Sequence, residues 1–350
     1  MPDKTSKIND LPVSKLDYNL PENLIAQKPI EKRDESRMML CDRKTGKIEH
    51  HIFRELVDIL PESTLIVRNI TRVFPARVEG VKETGGKIEI LFLREIDPGL
   101  WRVIFSRRAR MPEGRKIFLF DNKIITTLVE RIEDGEDVLK IDNPELFNTL
   151  IKVQGKTPLP PYITNHDIDP DRYQTVYAEN VGSSAAPTAG LHFTDNLIGK
   201  LISKGIDFAN VELQIGLDTF SPIRVKNLKN HTIHTEFGII PVKTAQTINN
   251  CKANGKEILC VGTTSTRLLE FVANEDGSVK EFAGDVDLFI LPGYEFKVTD
   301  RLLTNFHLPR TTLLALVGAF MGLEFMFEAY GKAIEEKYRF YSFGDSMLIL

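Results

Sequence analysis

Four stretches of small, hydroxyl-bearing and turn-forming residues carry the side chains in this chain that are best suited to chemistry. Ser183–Thr194 reads SSAAPTAGLHFT and contains one histidine, His192. VGTTSTR at 261–267, GLDTF at 216–220 and PGYEF at 292–296 have the same texture. Small residues let backbone approach a ligand closely, and free N–H groups at the start of a helix bind polar or anionic groups. We interpret the four stretches as the walls of one pocket; a tight loop with no ligand is the alternative for each.

Acid–base chemistry in such a pocket would use histidines and carboxylates close to these stretches. The predicted catalytic residues are His192, Glu212, Glu236 and His234. Glu212 stands inside an apolar run, where burial would raise its pKa toward that of a useful base. A carboxylate paired by a salt bridge within the domain is the equally plausible alternative.

Several other chemistries are disfavoured by the motifs. No G-x-S-x-G setting surrounds a serine, which argues against a covalent serine nucleophile. The VGTTSTR turn lacks the Lys-Ser/Thr ending of a phosphate-binding loop and is not a G-x-G-x-x-G dinucleotide loop. Neither Cys-x-x-Cys nor His-Glu-x-x-His occurs, so no metal site is predicted.

The elements that would position these residues change in character along the chain. Short apolar strands recur about every ten residues from 65 to 150, which predicts an antiparallel β-barrel or sandwich. Strands then alternate with helices, which predicts an α/β domain with mostly parallel strands built from 1–64 and 151–350. Thr194 is the predicted N-cap of a helix. In the barrel, Arg107, Arg108 and Arg110 form a basic run that could follow a phosphate backbone, or be an ordinary solvated face.

The composition fits a two-domain globular protein in a reducing compartment. The chain has 350 residues, a net charge of −4 and three widely spaced cysteines. The charge gives no overall attraction to nucleic acid, so an RNA partner would need a local basic face. The first 15 residues carry charge where a signal peptide needs an apolar run, and the longest apolar run, 313–323, is too short to span a bilayer. We therefore expect a cytoplasmic protein.

Several motifs in one order resemble a single family, the S-adenosylmethionine:tRNA ribosyltransferase-isomerases of queuosine biosynthesis. The resemblance covers the chain from about residue 16 to its C-terminus. The matching stretches are LPENLIAQKPIEKRDESRMML, PLPPYI, RYQTVYA, AAPTAGLHFT, VGTTSTRLLE, PGYEF, TNFHLPRTTLLALVGAF and YRFYSFGDSML.

The resemblance implies a reaction and a fold. The ribosyl part of S-adenosylmethionine would move onto 7-aminomethyl-7-deazaguanine at the wobble position of a tRNA with a GUN anticodon, and would rearrange to give epoxyqueuosine. Adenine and methionine would leave, and no cofactor would be needed, since S-adenosylmethionine is consumed. The implied fold is a larger α/β domain, a distorted barrel or layered sheet, with an inserted β-barrel, in a monomeric enzyme. The alternatives are an S-adenosylmethionine-dependent tRNA methyltransferase and a non-catalytic RNA-binding relative.

Positions within these motifs are predicted to bind substrate. At three positions the chain departs from the family pattern, with Ile70 in place of an acid, Gln214 in place of a histidine and Asp218 in place of a glycine. The predicted substrate-binding residues are Arg33, Arg37, Asn69, Arg72, Thr188, Gly190, Thr219, Thr263, Thr264, Ser265, Arg267, Asn305, His307 and Asp345.

Overall fold

The computed structural model describes residues 11–105, 111–132, 136–160, 162–165, 168–216, 222–233 and 235–350. The chain divides into two compact units. One, which we call the sheet unit, comprises Met1–Thr71, Pro161–Glu179 and Pro187–Leu350. The other, the barrel unit, comprises Arg72–Pro160 and Asn180–Ala186.

The described strands and helices are numbered in chain order. The strands are β1 (Arg37–Asp42), β2 (Lys47–Ile52), β3 (Thr64–Asn69), β4 (Thr71–Val73), β5 (Arg77–Lys82), β6 (Lys87–Asp97), β7 (Leu100–Phe105), β8 (Lys116–Leu119), β9 (Ile124–Glu130), β10 (Asp137–Ile141), β11 (Asn180–Ser183), β12 (Asp207–Gln214), β13 (Glu236–Ile240), β14 (Glu257–Val261), β15 (Phe282–Val286), β16 (Arg301–Asn305) and β17 (Ser346–Ile349). The helices are α1 (Leu56–Ile59), α2 (Pro144–Gln154), α3 (Asp195–Ser203), α4 (Val242–Ala253), α5 (Gly262–Val272), α6 (Thr312–Met321) and α7 (Leu323–Glu335).

In the sheet unit, nine of the described strands form one mixed sheet in the order β15-β13-β12-β3-β14-β16-β17-β1-β2. The four central strands β12, β3, β14 and β16 are parallel. Antiparallel pairs flank them, β13 and β15 on one side and β17 on the other. The prediction of mostly parallel strands is therefore right for the centre of the sheet. Of the outer pairs, four are antiparallel and one, β17 with β1, is parallel.

Alternating side chains cover both faces of this sheet. In β3, Ile66 packs with Phe193 and Leu197 of the segment that leads into α3. Its neighbours Leu65 and Val67 point to the opposite face, where they pack with residues of α4 and α5. Because successive side chains of a strand point to opposite faces, a strand buried on both sides reads as a continuous apolar run, as TLIV does here. The result is a sheet layered between helices, as predicted.

The barrel unit contains a closed antiparallel barrel in the order β10-β7-β6-β5-β8-β9, counted over its described strands. Its interior is aromatic: Trp101 packs edge-on against Phe92 and Phe147 with ring centroids 5.7 and 5.6 Å apart. The α/β fold with a small antiparallel β-barrel is thus confirmed. The barrel unit begins at Arg72 rather than 65, because the strand Thr64–Asn69 pairs in the centre of the nine-stranded sheet.

Local signals set where three elements of the sheet unit begin or end. Thr194 is the N-cap of α3, as predicted, with its hydroxyl accepting from the Leu197 N–H at 3.2 Å. The apolar run 285–291 is a strand only as far as Val286, where β15 ends. The C-terminal strand β17 begins at Ser346.

No single helix in the described part of the chain is long and apolar enough to cross a bilayer. The pair α6 and α7 reaches that length only together, with a bend of 113° between them. Six buried residues of α6 belong to one core cluster of the sheet unit: Leu314, Ala315, Leu316, Val317, Phe320 and Met321.

Candidate functional site

One edge of the nine-stranded sheet collects most of the predicted site residues. The four parallel strands β3, β12, β14 and β16 all end there, at Asn69, Gln214, Val261 and Asn305. Ligands of open α/β sheets bind beyond the carboxyl ends of such strands. The strand β17 runs antiparallel to β16 and pairs its first residue, Ser346, with Asn305, so it begins at the same edge. Strand starts and strand ends therefore meet at this edge.

His192 lies at this edge in a buried 3-10 turn, Thr188–His192. Its Nδ1 is 2.7 Å from Ser36 Oγ, and its Nε2 is 3.2 Å from Asn305 Nδ2. The ring stacks on Phe53 with centroids 5.0 Å apart. Burial, with the nearby Arg339 and Arg33, lowers the pKa of His192 to about 3. The imidazole is therefore neutral at physiological pH.

The opening stretch Ser183–Thr194 does not form one wall. The division between the two units falls between Ala186 and Pro187, so Ser183 belongs to the barrel unit. In the sheet unit, Gly190 does not adopt the positive φ that its type permits. It is glycine because of a close approach: a Cβ there would lie 2.1 Å from the Tyr177 hydroxyl oxygen. Thr188, in the same turn, is half-buried.

The start of α5 follows β14 at the same edge. Gly262 has φ +85°, and no side chain caps the helix. The hydroxyls of Ser265 and Thr266 donate back to the carbonyls of Val261 and Gly262, at 2.8 and 3.2 Å. The neighbouring hydroxyl of Thr264 is buried and has no hydrogen-bond partner among the described residues. Thr263 is likewise buried. The predicted sharp turn into a helix is present, and two of its hydroxyls stabilise the helix itself.

Glu236 and Arg267 form a buried ion pair at the β13 end of this edge. Arg267 Nη1 donates to Glu236 Oε2 at 2.5 Å, and its other nitrogens donate to the carbonyls of Leu288 and Val286. Glu236 Oε1 accepts from the Gly216 N–H at 3.2 Å. Both side chains therefore hold strand ends together, although Glu236 was predicted as a catalytic residue and Arg267 as a substrate-binding one.

Two residues predicted to bind substrate are engaged with the backbone. Asn69 clamps β3 to β12: its Nδ2 donates to the Leu213 carbonyl at 2.9 Å, while its Oδ1 accepts from the N–H groups of Thr71 and Leu213. The carboxylate of Asp345 accepts from the N–H groups of Arg37 and Arg339, at 3.0 and 2.8 Å. Burial raises the pKa of Asp345.

His307 lies just before α6 and is buried. The ring Nε2 is 2.9 Å from Thr304 Oγ1. The backbone N–H of His307 donates to the Tyr330 hydroxyl at 3.0 Å, and its backbone carbonyl accepts from the Tyr18 hydroxyl. Burial lowers its pKa to about 3. The arrangement is that of a packed core histidine.

Three arginines of the predicted set are half-buried. Arg33 donates to the carbonyls of Gln174, Leu191 and Asp171, so it ties the segment that precedes β1 to the turn carrying His192. Arg37 stacks over the Tyr338 ring at 3.8 Å. Arg72 belongs to the barrel unit, whereas Arg33 and Arg37 belong to the sheet unit.

Glu212 differs from its prediction. It is half-buried rather than enclosed, because β12 alternates: Val211 and Leu213 are buried, and Glu212 and Gln214 share the opposite, more open face. Ile70, where the family pattern has an acid, packs in the apolar cluster beneath the turn, and its N–H and carbonyl bond to Val211 and Glu179.

Some predicted residues lie outside the described part of the chain. They are His234, Thr219, Asp218 and the basic run Arg107, Arg108 and Arg110. Their roles stay predictions. Among the described residues, no group of three or more His, Cys, Asp or Glu side chains is arranged to hold a metal ion.

Sequence reasoning missed Ser36, Phe53, Thr175 and Tyr177. Ser36 and Phe53 contact His192 from segments more than 130 residues away along the chain. Thr175 and Tyr177 lie against Gly190, and their hydroxyls are buried without a partner among the described residues. Thr175 and Tyr177 both belong to the RYQTVYA motif, and their polar side chains lie close in the sequence to a turn of small residues, which is the signal that indicates them.

Comparisons with known proteins agree along nearly the whole chain. A family model described as "Queuosine biosynthesis protein" matches residues 13–349. The S-adenosylmethionine:tRNA ribosyltransferase-isomerase of Clostridioides difficile is 46% identical over 333 residues, 95% of this chain and 98% of that protein. The enzyme of the same name from Thermotoga maritima is 46% identical over 97% of this chain and 99% of its own. A crystal structure of S-adenosylmethionine tRNA ribosyltransferase from Thermotoga maritima matches with a TM-score of 0.57 and 37% identity, covering 96% of this chain and 100% of that one.

Proposed function

Because this chain belongs to the queuosine biosynthesis protein family, we propose that it is an S-adenosylmethionine:tRNA ribosyltransferase-isomerase. The observation that carries the proposal is the match to enzymes of that name over nearly their full length as well as its own. A partial match would support only a shared domain, whereas this one includes both units.

In finer detail, the proposed acceptor is 7-aminomethyl-7-deazaguanine at the wobble position of a tRNA with a GUN anticodon. The ribosyl part of S-adenosylmethionine is transferred to the aminomethyl group and rearranged to epoxyqueuosine, and adenine and methionine are released. S-adenosylmethionine is consumed, so no further cofactor is required. We propose that the enzyme acts as a monomer in the cytoplasm.

The chemistry makes specific demands on the site. A sulfonium acidifies the adjacent ribose C5′–H, so removal of that proton needs a base. Departure of adenine needs a proton donor, and the acceptor amine must be deprotonated before it attacks. Of the predicted groups, Glu212 has a half-buried carboxylate on the open face of β12, close to the end of that strand. We propose Glu212 as the base, with His234 as its predicted partner; the ion-paired Glu236 positions the backbone beside them.

The proposed substrate site is the edge where the parallel strands end. The unpartnered hydroxyl of Thr264 and the uncapped start of α5 would meet a polar part of S-adenosylmethionine. The RNA would contact the basic run of the barrel unit, which the charges of the sequence suggest. Changing that run to glutamates should weaken tRNA binding and flatten its salt dependence, because each phosphate contact contributes to the slope. The residues concerned are Arg107, Arg108 and Arg110.

The test is product analysis after incubation with S-adenosylmethionine and precursor-bearing tRNA. The proposal expects free adenine and methionine in equal amounts, with the tRNA gaining the mass of the transferred ribosyl-derived group. A methyltransferase would release S-adenosylhomocysteine, and an RNA-binding relative would leave S-adenosylmethionine intact. Absence of free adenine would refute the proposed function. The variant Glu212→Gln should lose turnover by about 10²-fold or more while binding S-adenosylmethionine.

A further inference from the structure

The amide of Asn305 has its nitrogen satisfied and its oxygen without a donor. Nδ2 lies 3.1 Å from the Tyr341 carbonyl, 3.2 Å from His192 Nε2 and 3.4 Å from the Asp345 carbonyl. Since the two carbonyls can only accept, the nitrogen must be the atom that faces them. Oδ1 is buried on the other side of the amide and has no partner among the described residues. Asn305 as a whole is only 2% exposed.

The orientation of Asn305 fixes the protonation of His192. Nε2 faces an N–H donor, so it must be the acceptor nitrogen, and the proton is on Nδ1. Nδ1–H then donates to Ser36 Oγ at 2.7 Å, and the Ser36 hydroxyl donates onward to the Arg33 carbonyl at 3.2 Å. The chain of donors therefore runs in one direction, from Asn305 through His192 and Ser36 to the backbone. A second proton on Nε2 would point at the Asn305 amide nitrogen, which is itself a donor, and would break this chain of hydrogen bonds.

A buried acceptor with no donor is unfavourable, and a ligand that supplies the donor removes that penalty. We propose that Asn305 Oδ1 accepts a hydrogen bond from an N–H or O–H group of the substrate, and that His192 is a positioning residue that orients the Asn305 amide as the neutral Nδ1–H tautomer. This inference rests on the proposed function for the identity of the substrate. On this proposal His192 does not transfer a proton in the reaction, although the sequence predicts that it does; it stays neutral and orients the Asn305 amide.

Two substitutions at His192 separate positioning from proton transfer. In Gln, the terminal amide oxygen reaches the position of Nε2 and accepts from Asn305; in Asn, the shorter amide reaches only the position of Nδ1. His192→Gln should keep kcat within about tenfold. His192→Asn should bind the substrate that contacts Asn305, whether S-adenosylmethionine or the tRNA, at least about tenfold more weakly. If His192 transfers a proton, both variants should lose about 10²- to 10⁴-fold in kcat, and that result would overturn the proposal. His50→Gln, at an exposed histidine on β2 whose Nδ1 lies 2.7 Å from the Tyr338 hydroxyl, is the control.

A second measurement reads the tautomer of His192 directly and does not depend on turnover. Nitrogen-15 NMR of the imidazoles should show one ring in the Nδ1–H form that does not titrate between pH 8 and 5, and His192→Gln should remove that signal. His307 is also buried and neutral, so His307→Gln identifies its resonance by difference. An Nε2–H form, or titration of His192 near pH 6.5, contradicts the inference even if the enzyme releases adenine.

The donor that Asn305 Oδ1 accepts is identified by pairing ligand changes with a protein change. Analogues of S-adenosylmethionine lacking the 2′-hydroxyl, the 3′-hydroxyl or the 6-amino group are measured by equilibrium dialysis against wild type and Asn305→Leu. The analogue that lacks the contacted donor should bind about tenfold more weakly to wild type and no more weakly to the variant. The same pairing with anticodon stem-loops lacking one base donor tests the RNA as the source. If no analogue in either series loses affinity for wild type while keeping it for Asn305→Leu, the proposal about Asn305 is refuted. A protein that binds both ligands normally but releases no adenine refutes only the proposed function.

Discussion

Gly190 offers the sharpest test of how the turn Thr188–His192 is held against the rest of the sheet unit. Its φ is ordinary, so an alanine meets no backbone strain there. The added Cβ would instead lie 2.1 Å from Tyr177 Oη and 2.8 Å from Thr175 Cγ2. Ordinary contacts between such atoms are about 3.5 Å, so the hydroxyl must withdraw by more than ~1 Å.

The surroundings of Tyr177 resist that withdrawal. Its ring lies under the Arg68 guanidinium at 4.3 Å and packs edge-on against Phe193 with centroids 6.1 Å apart. Overpacking of a well-filled interior destabilises by about 1–3 kcal/mol, and the short approach here places Gly190→Ala near 3 kcal/mol. For a unit of this size that corresponds to a fall in Tm of roughly 6 °C. Activity should fall further, because the displaced turn carries His192.

Urea and thermal unfolding of Gly190→Ala, of two other single variants and of one double variant measure these effects. Gly199→Ala in α3 is the control, since nothing lies within 4 Å of its Cβ and alanine is favoured over glycine in a helix by about 1 kcal/mol. Tyr177→Phe removes a buried hydroxyl that has no described partner, so alone it should be nearly neutral. Combined with Gly190→Ala it should restore about half of the lost stability, because Thr175 Cγ2 and the ring carbon at 3.0 Å still crowd the new methyl. A Gly190→Ala protein as stable as wild type would refute the steric argument.

Three further predictions concern charge and capping. The pKa of about 3 for His192 and His307 lies below the ordinary 6.5, so the unfolded chain binds more protons between those values. The free energy of unfolding should fall as pH drops below 6.5, by up to about 1.4 kcal/mol per pH unit for each imidazole; a flat profile from pH 7 to 5 would contradict this. Glu236→Gln leaves the buried Arg267 guanidinium without its counter-charge and should cost about 3–5 kcal/mol in urea unfolding, more than any exposed Glu→Gln change. Thr194→Ala should lower stability by about 1 kcal/mol through loss of the α3 cap, and Thr194→Ser should not.

The sequence predicts best what depends on neighbours along the chain. The hydroxyl of Thr194 and the spacing of the apolar residues that follow it predict that α3 begins after Thr194, and α3 does begin there. The alternation in VELQ of β12 was equally visible: it puts Glu212 opposite Val211 and Leu213, so the carboxylate belongs to the more open face. The expectation of a buried Glu212 came from reading the run as uniformly apolar.

What the sequence does not contain is which distant segments pair. TLIVRN at 64–69 has the same length and composition as the barrel strands after it, but its partners, β12 and β14, come more than 130 residues later. Nothing local distinguishes a central strand from a barrel strand of this kind, so the predicted boundary at 65 fell on the wrong side of β3. The Ser36–His192–Asn305 contacts depend on the same long-range pairing.

The order of strands in the sheet places part of the site beyond the carboxyl ends of parallel strands and part of it at the start of other strands. The rule that ligands bind beyond the carboxyl ends of parallel strands finds Asn305 at the end of β16. Ser36 immediately precedes the start of β1, and it reaches the same edge because β17 runs antiparallel to β16 while β1 runs parallel to β17. His192 is therefore held between a strand end and a strand start. A slip of one residue between β1 and β17 would turn the side chains of β1 to the opposite face and would displace Ser36, which immediately precedes β1. Because Ser36 accepts the hydrogen bond from His192 Nδ1–H, the register of these two strands controls the tautomer of His192.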